Sequence, residues 1–318
     1  MGRKTHLILN SSELGAGTRG ASLGPVAIQV AARELGSDFF GDKQITRIID
    51  RNHLLDQPTT FPFSKRIDGI VDVAIDIVEQ VSKVIESKEF PLVLAADHSS
   101  AAFTIGGIKK AHPNKKLGVI WIDAHGDLHS PYTTPSGNIH GMPLAIALGL
   151  DNLEMKHNEL DGESQVYWQK LKELAHASSM FQPENLVFIG VRDTEKEEEF
   201  LMDEHGIRNV KVEEVRQKGV DQIVVETAAY LSACDIIYVS FDVDSMDPDL
   251  TSYGTGTPVK NGLTIEEARS LLVQFTEDDK TVCLEVVEVN PCLDDKKNKM
   301  AEIAFDLIQS ITQLIEKK

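Results

Sequence analysis

Apolar positions along this chain follow two alternating rhythms. Short runs rich in β-branched and other apolar residues recur at His6–Leu9, Gln44–Ile49, Leu92–Ala95, Leu117–Ile122, Leu186–Ile189, Asn209–Val212, Ile236–Phe241 and Val282–Val289. Their length and composition predict strands. Between them, apolar residues recur at three- and four-residue spacing. That spacing predicts helices over Pro25–Leu35, Ile67–Ile85, Ser100–Lys110, Gln165–Ala177, Val220–Ala233, Ile265–Phe275 and Ala301–Ile315. The helix from Ile67 is the clearest, with Ile67, Ile70, Val71, Ala74, Val78, Val81 and Ile85 on one face. Several strands are apolar on both faces, and strands alternate with helices. This implies an α/β fold with a mostly parallel central sheet of about eight strands, covered on both sides in three α/β/α layers. The alternation persists throughout, so residues 1–318 read as one domain.

Two apolar runs end abruptly in acid. Trp121-Ile-Asp-Ala-His-Gly-Asp127 sets Asp123 and Asp127 about His125, and Ser240-Phe-Asp-Val-Asp244 adds Asp242 and Asp244. On an extended strand, residues two apart face the same way, so Asp242 and Asp244 are expected to converge. Buried carboxylates must be paired or bound to a metal. Asp97-His98-Ser99 follows a third strand, so His98 should reach the same rim. The polar segments after the acidic strands, His129–Asn138 and Asp247–Gly262, lack periodicity and should loop over the carboxyl edge, where open α/β sheets bind ligands. Half of the ten histidines fall between His98 and His140. His112 and His129 lie outside the ligand pattern.

Taken as ligands, His98, Asp123, His125, Asp127, Asp242 and Asp244 exceed what one tetrahedral zinc accepts. They suit two oxygen-loving ions bridged by Asp123 and Asp242. A carboxylate-rich, thiolate-free set favours manganese. Two dications balanced by four carboxylates leave room for a bridging hydroxide and a cationic electrophile. That points to metal-assisted hydrolysis.

Composition narrows the surroundings. A formal charge of -18 argues against nucleic acid and anionic membranes as partners. It fits a soluble protein with a small-molecule substrate. The three cysteines, Cys234, Cys283 and Cys292, suggest no disulfide framework and predict a cytoplasmic setting. The start carries no secretory apolar stretch, and no run approaches the ~20 residues of a membrane span. A homo-oligomer is compatible with the sequence.

Asp97-His98-Ser99, Asp123-Ala-His-Gly-Asp127, Ser136-Gly-Asn-Ile-His-Gly141, Ser240-Phe-Asp-Val-Asp-Ser-Met-Asp-Pro248, Gly254-Thr-Gly-Thr-Pro258 and Glu288-Val-Asn-Pro291 together resemble the ureohydrolase family. That family contains arginase, agmatinase and formimidoylglutamase. Arg19-Gly-Ala-Ser-Leu-Gly-Pro25 is similar to its opening motif. The resemblance spans nearly the whole chain and is nearest to arginase. It implies a binuclear manganese centre. His98, Asp123, Asp127 and Asp242 would surround one ion, and Asp123, His125, Asp242 and Asp244 the other. It also implies cleavage of L-arginine to L-ornithine and urea by a metal-bridging hydroxide. Asp127 would relay the hydroxide proton and His140 would protonate the leaving amine. Glu288 would pair with the guanidinium, with Thr257 near it. Glu285 is the rival inward acid on that strand.

For the far end of the substrate, the resemblance implies Ser136 at the α-carboxylate and Glu195 and Glu198 at the α-amino group. This chain departs from the family there. His129 stands where arginase usually has asparagine, and Glu195 where it usually has aspartate. Ala95-Ala96 also replaces Gly-Gly before the Asp-His motif. The departures leave open the same chemistry on formiminoglutamate, agmatine or another guanidino or amidine compound. A catalytically silent metal-binding relative is the more distant alternative.

Overall fold

The computed structural model describes residues 2–175 and 181–317. Its elements run β1 (Thr5–Asn10), α1 (Gly24–Glu34), β2 (Gln44–Arg47), α2 (Ile67–Glu86), β3 (Phe90–Ala95), α3 (Ala101–Ala111), β4 (Leu117–Ile122), α4 (Pro143–Leu148), α5 (Gly162–Leu174), β5 (Leu186–Ile189), α6 (Lys196–Glu204), β6 (Arg208–Val210), α7 (Val212–Lys218), α8 (Val220–Tyr230), β7 (Ile236–Asp242), α9 (Ile265–Glu277), β8 (Thr281–Val287) and α10 (Lys299–Lys317). The strands form one eight-stranded sheet, ordered β2-β1-β3-β8-β7-β4-β5-β6. Every pairing is parallel. No helix among the described residues is long and apolar enough to cross a membrane.

Side chains alternate across the sheet and build two cores. Ile8, Val93, Val119 and Tyr238 face the layer of α2, α3, α4 and α5. Leu7, Leu92, Ile120 and Val239 face α1, α9 and α10. Burial on both faces explains why these strands are apolar without alternation. In α2 the expected stripe is buried from Ile67 to Val81. It packs on α3 at close range, where a Cβ on Gly107 would lie 2.6 Å from Val81 Cβ. Glycine is needed at that contact.

Three helices were not expected, and each has a physical reason. α4 is six residues long and α7 is seven, too short to show a period. α6 is largely acidic and is set by a capping box between Glu195 and Glu198. Val212, expected to end a strand, instead opens α7, and the strand is Arg208–Val210. The strand expected over Gln44–Ile49 is a short edge strand ending at Arg47. Ala177, the expected end of the fifth helix, lies outside the described residues.

Candidate metal centre and substrate cavity

Four neighbouring strands, β3, β8, β7 and β4, deliver the site at their carboxyl ends. β3 is followed by a 3₁₀ turn, His98–Ser100, capped by Asp97, whose side chain accepts from Ser99 N. β4 leads into Asp123, His125 and Asp127. β7 ends on Asp242, whose Oδ1 accepts from Asp244 N at 2.8 Å. Asp244 therefore sits in a 3₁₀ turn rather than on the strand. Asp242 turns to His98 and Asp244 to His125, so a turn rather than the strand pleat sets the two acids.

Two groups of ligand atoms face each other. His98 Nδ1 lies 3.0 Å from Asp123 Oδ2, 3.1 Å from Asp127 Oδ2 and 3.3 Å from Asp242 Oδ2. His125 Nδ1 lies 3.5 Å from Asp123 Oδ1 and 3.1 Å from Asp244 Oδ2. Asp123 thus turns one oxygen to each group. Four acids in so small a volume perturb one another. Burial, reinforced by the Asp123 charge, pushes Asp127 up to about 6. Burial with the Asp244 and Asp123 charges raises Asp242 well above the carboxylate range. Burial opposes charge on His98, but Asp123, Asp127 and Asp242 outweigh it and raise its pKa. The same contest at Asp123 resolves the other way: two imidazoles hold it below its usual range despite burial. His98 Nδ1 and Asp127 Oδ2 are buried without a hydrogen-bond partner. Bare buried polar atoms that converge on one point fit a cation.

Two of the chain's left-handed non-glycine residues fall in the site. Asp127 (φ 52°) and Glu288 (φ 68°) are left-handed non-glycine residues, a conformation rare outside sites that enforce it. Glu288 follows the end of β8 and turns into the site. Its Oε1 accepts from His98 N at 2.9 Å and lies 3.4 Å from His140 Nδ1. Glu285, the rival acid, is fully buried within β8 and faces the core. Burial opposes protonation of His140, while Glu288, Asp127 and Asp97 favour it and prevail. Thr257 Oγ1 donates to Asp244 Oδ2 at 3.0 Å, so the threonine supports an acid on β7 rather than Glu288.

These residues open onto a cavity of about 430 Å³, in the range of small-molecule sites. Its inner end holds His98, His125, Asp127, Asp242 and His140. Its outer end holds His129, Ser136, Glu195 and Glu198. There, His129 Nε2 is 3.2 Å from Glu195 Oε2 and 3.9 Å from Glu198 Oε2. The bond to His129 takes Glu195 down to about 2, and burial pushes Glu198 up to about 8. Ser136 is exposed at the mouth, where its Oγ accepts from Asn138 N.

Several lining residues had no role assigned from the sequence, among them Thr18, Thr134 and Asn138. Arg192, three residues before Glu195, was likewise assigned no role. It donates to the carbonyls of Gly190, Asp244, Ser245, Val259 and Lys260, tying three loops behind the acids. His112 caps the far end of α3, away from the site.

Comparison with known proteins agrees with this architecture. Residues 7–313 match the Arginase family model. Arginase from Bacillus subtilis (strain 168) is 35% identical over 309 residues, covering 94% of each chain. The arginase structure from Bacillus caldovelox superposes with a TM-score of 0.81 at 32% identity, covering 98% of each chain. That of Entamoeba histolytica arginase in complex with L-ornithine gives 0.83 at 25% identity, covering 98% of this chain and 99% of that one. By sequence and by fold, this chain belongs to the arginase family, hydrolases of carbon–nitrogen bonds in linear amidines.

Proposed function

We propose that this protein hydrolyses L-arginine to L-ornithine and urea with two manganese ions as cofactor. The observation that carries the reading is the convergence of four carboxylates and two imidazoles at adjoining strand ends, with His98 Nδ1 and Asp127 Oδ2 left bare. His98, Asp123, Asp127 and Asp242 would hold one ion. Asp123, His125, Asp242 and Asp244 would hold the other. Oxygen donors with two imidazoles and no thiolate suit manganese. When bound, such a pair supplies a water ionised at neutral pH.

The protein's own groups do the rest. Glu288 keeps one oxygen on His98 N and has the other for the guanidinium, a planar partner that suits a carboxylate. That contact orients the electrophilic carbon beside the acids. Asp127 accepts the proton released as the nucleophile attacks. His140, held protonated by Glu288, delivers a proton to the departing amine. Glu198 and Glu195 would face the α-amino group and Ser136 the α-carboxylate.

One contact favours a second reading. His129 occupies the Glu195 carboxylate, which weakens the case for an α-ammonium there. The same chemistry on formiminoglutamate, or on another amidine compound without a free amino group, fits that arrangement; agmatine keeps the ammonium and gains only by needing no α-carboxylate contact. We place the enzyme in the cytoplasm, consistent with its buried, unpaired Cys234 and Cys283. The test is a substrate panel on manganese-loaded protein, with arginine, agmatine and formiminoglutamate side by side. Arginine should lead in kcat/KM by about tenfold or more, a difference of roughly 1.4 kcal/mol. Turnover of none of the three would overturn the proposal, and a lead by another would move the substrate.

A further inference from the structure

Arg192 joins the two segments that bring His125 and Asp244 together. Beyond β4 and β5 the backbone pairing continues for a few residues. Asp123 N donates to Ile189 O, and Arg192 N and Asp193 N both donate to Ala124 O. His125 and Asp193 form a parallel bridge at the same place. The main chain of Arg192 is thereby fixed to the stretch that carries Asp123 and His125. Its side chain reaches the turn after β7 and the loop before α9. Nε donates to Lys260 O at 3.1 Å. Nη1 donates to Gly190 O at 3.0 Å and Ser245 O at 3.3 Å, and Nη2 to Asp244 O at 3.0 Å and Val259 O at 2.6 Å.

A guanidinium carries five N–H groups in one rigid plane, and Arg192 places every one of them on a main-chain carbonyl. Loop carbonyls that converge without donors would be costly, so the head group is what allows these loops to meet. Gly262 leaves it room, since a Cβ there would lie 2.6 Å from Arg192 Nη2. The tied loop also carries Thr257, whose hydroxyl donates to Asp244 Oδ2. Ala124 N donates to Asp244 Oδ1 at 3.3 Å. Both carboxylate oxygens of Asp244, and its carbonyl, are thus held by Arg192 or by segments bonded to it. His98 enters from β3, which β8, β7 and β4 separate from β5.

We infer that Arg192 is a positioning residue that sets Asp244 against His125 at the spacing one metal ion requires, and that it acts through its five-donor fork rather than through its charge. The inference rests on His125 and Asp244 being ligands in the proposed centre, and the test separates the two.

Manganese binding is titrated by electron paramagnetic resonance for the wild type, Arg192→Lys and Arg192→Gln, with a thermal melt of each metal-free protein. Lysine keeps the charge with three donors and no plane, and glutamine keeps a planar head without the charge. Both variants should weaken the ion beside His125 about 10- to 100-fold, while the ion beside His98 keeps its affinity. At manganese just sufficient to fill both wild-type sites, the variants should give an uncoupled signal in place of a coupled pair. Full affinity in Arg192→Lys with loss in Arg192→Gln would assign the effect to charge and overturn the fork. Equal weakening of both ions would mean a general loosening and overturn it too. Thr257→Val guards against Arg192 variants that fail to fold. It leaves Arg192 in place, removes the tied loop's bond to Asp244 Oδ2, and should weaken the same ion by a smaller factor. Wild-type affinity for that ion in Thr257→Val, or in both Arg192 variants, would overturn the inference and leave the proposed function intact. A wild type that binds no manganese pair would sink the proposed function and the inference with it.

Discussion

The two ends of the cavity are built on different physical terms. At the inner end every acid hangs from a buried parallel strand or the turn that follows it, and Asp123, Asp242 and Asp244 are almost wholly inaccessible. Their carboxylates repel one another, and the fold holds them together against that repulsion with His98 and His125 between them. At the outer end the groups come from the loop before α4 and from the start of α6. Charge there is already matched, with His129 lying between Glu195 and Glu198. The inner end crowds four acids around two imidazoles, while the outer end sets one imidazole between two acids. Chemistry should therefore be brittle to substitution at the inner end, and substrate choice plastic at the outer one.

The strongest way to break the contrast is Asp127→Ala. It should reduce kcat by more than about a thousandfold, since it would remove the proposed proton acceptor and a proposed metal ligand together. Stability should move the other way. Asp127 has a folded pKa of about 6, above its ordinary 3.8, so it stabilises the metal-free fold only while protonated. That contribution fades as pH rises from about 4 to about 6. At pH 7 the metal-free variant should melt above the metal-free wild type, and manganese should raise its melting temperature less. Near-normal urea release from the variant would remove Asp127 from the mechanism.

His140→Ala comes next, with kcat down about 10²–10⁴-fold. Manganese affinity and the fold should be retained, because His140 lies in the 3₁₀ turn Ile139–Gly141 beside Glu288 and outside both ligand groups. Its neighbours raise its pKa, so the wild-type profile should lose activity on the alkaline side as the acid is deprotonated. A variant with an unchanged pH–rate profile would deny His140 the role of acid.

The inner end was far more legible in the sequence than the outer end, and the reason is mechanical. A strand that runs apolar and stops at Asp123 or Asp242 declares both its burial and its polarity change. The sheet then brings such ends together without further information. Glu288 was harder. Residues three apart on a strand face opposite sides, so Glu285 and Glu288 competed for the inward place. The outcome depends on β8 ending at Val287 and Glu288 adopting a left-handed φ of 68°, which hydrophobic pattern does not encode. The outer end depends on loop conformations and on a short acidic helix whose composition reads as a solvated run. Arg192 and Asp193 open the segment that carries Glu195 and Glu198, but only the folded loops show the Arg192 guanidinium binding the carbonyls behind the acids.

At the outer end, His129→Asn sharpens the comparison by a smaller amount. It frees Glu195 from its imidazole partner while leaving the metal-facing acids untouched. The expected result is a KM for arginine several-fold lower, up to about tenfold, with kcat nearly constant. Agmatine, which keeps the amino group that Glu195 would face, should improve alike, whereas formiminoglutamate, which has no free amino group, should not improve. A fall in kcat with KM unchanged would show that His129 acts on the chemistry and would dissolve the distinction between the two ends.

The smallest effect expected is on pH-dependent stability, through Glu198→Gln. Burial raises the Glu198 pKa to about 8 from an ordinary 4.5. The folded state therefore holds a proton that the unfolded chain has already lost through this interval. Its stabilisation is complete below the unfolded value, declines as pH rises, and is gone above about 8. His129, also raised, acts with the same sign at the upper end of the window. Glu195, lowered to about 2, matters only in acid, where its contribution is lost as pH falls. Glutamine cannot titrate, so the variant's melting temperature should decline less steeply than the wild type's between pH 5 and about 8. Some stability should be lost at every pH, because Glu198 accepts from both Leu128 N and Glu195 N, and an amide oxygen replaces only one of those acceptors. Parallel melting curves offset by a constant would mean that Glu198 serves as a cap alone. Converging curves would mean that its proton is part of how the outer end stays balanced without a substrate.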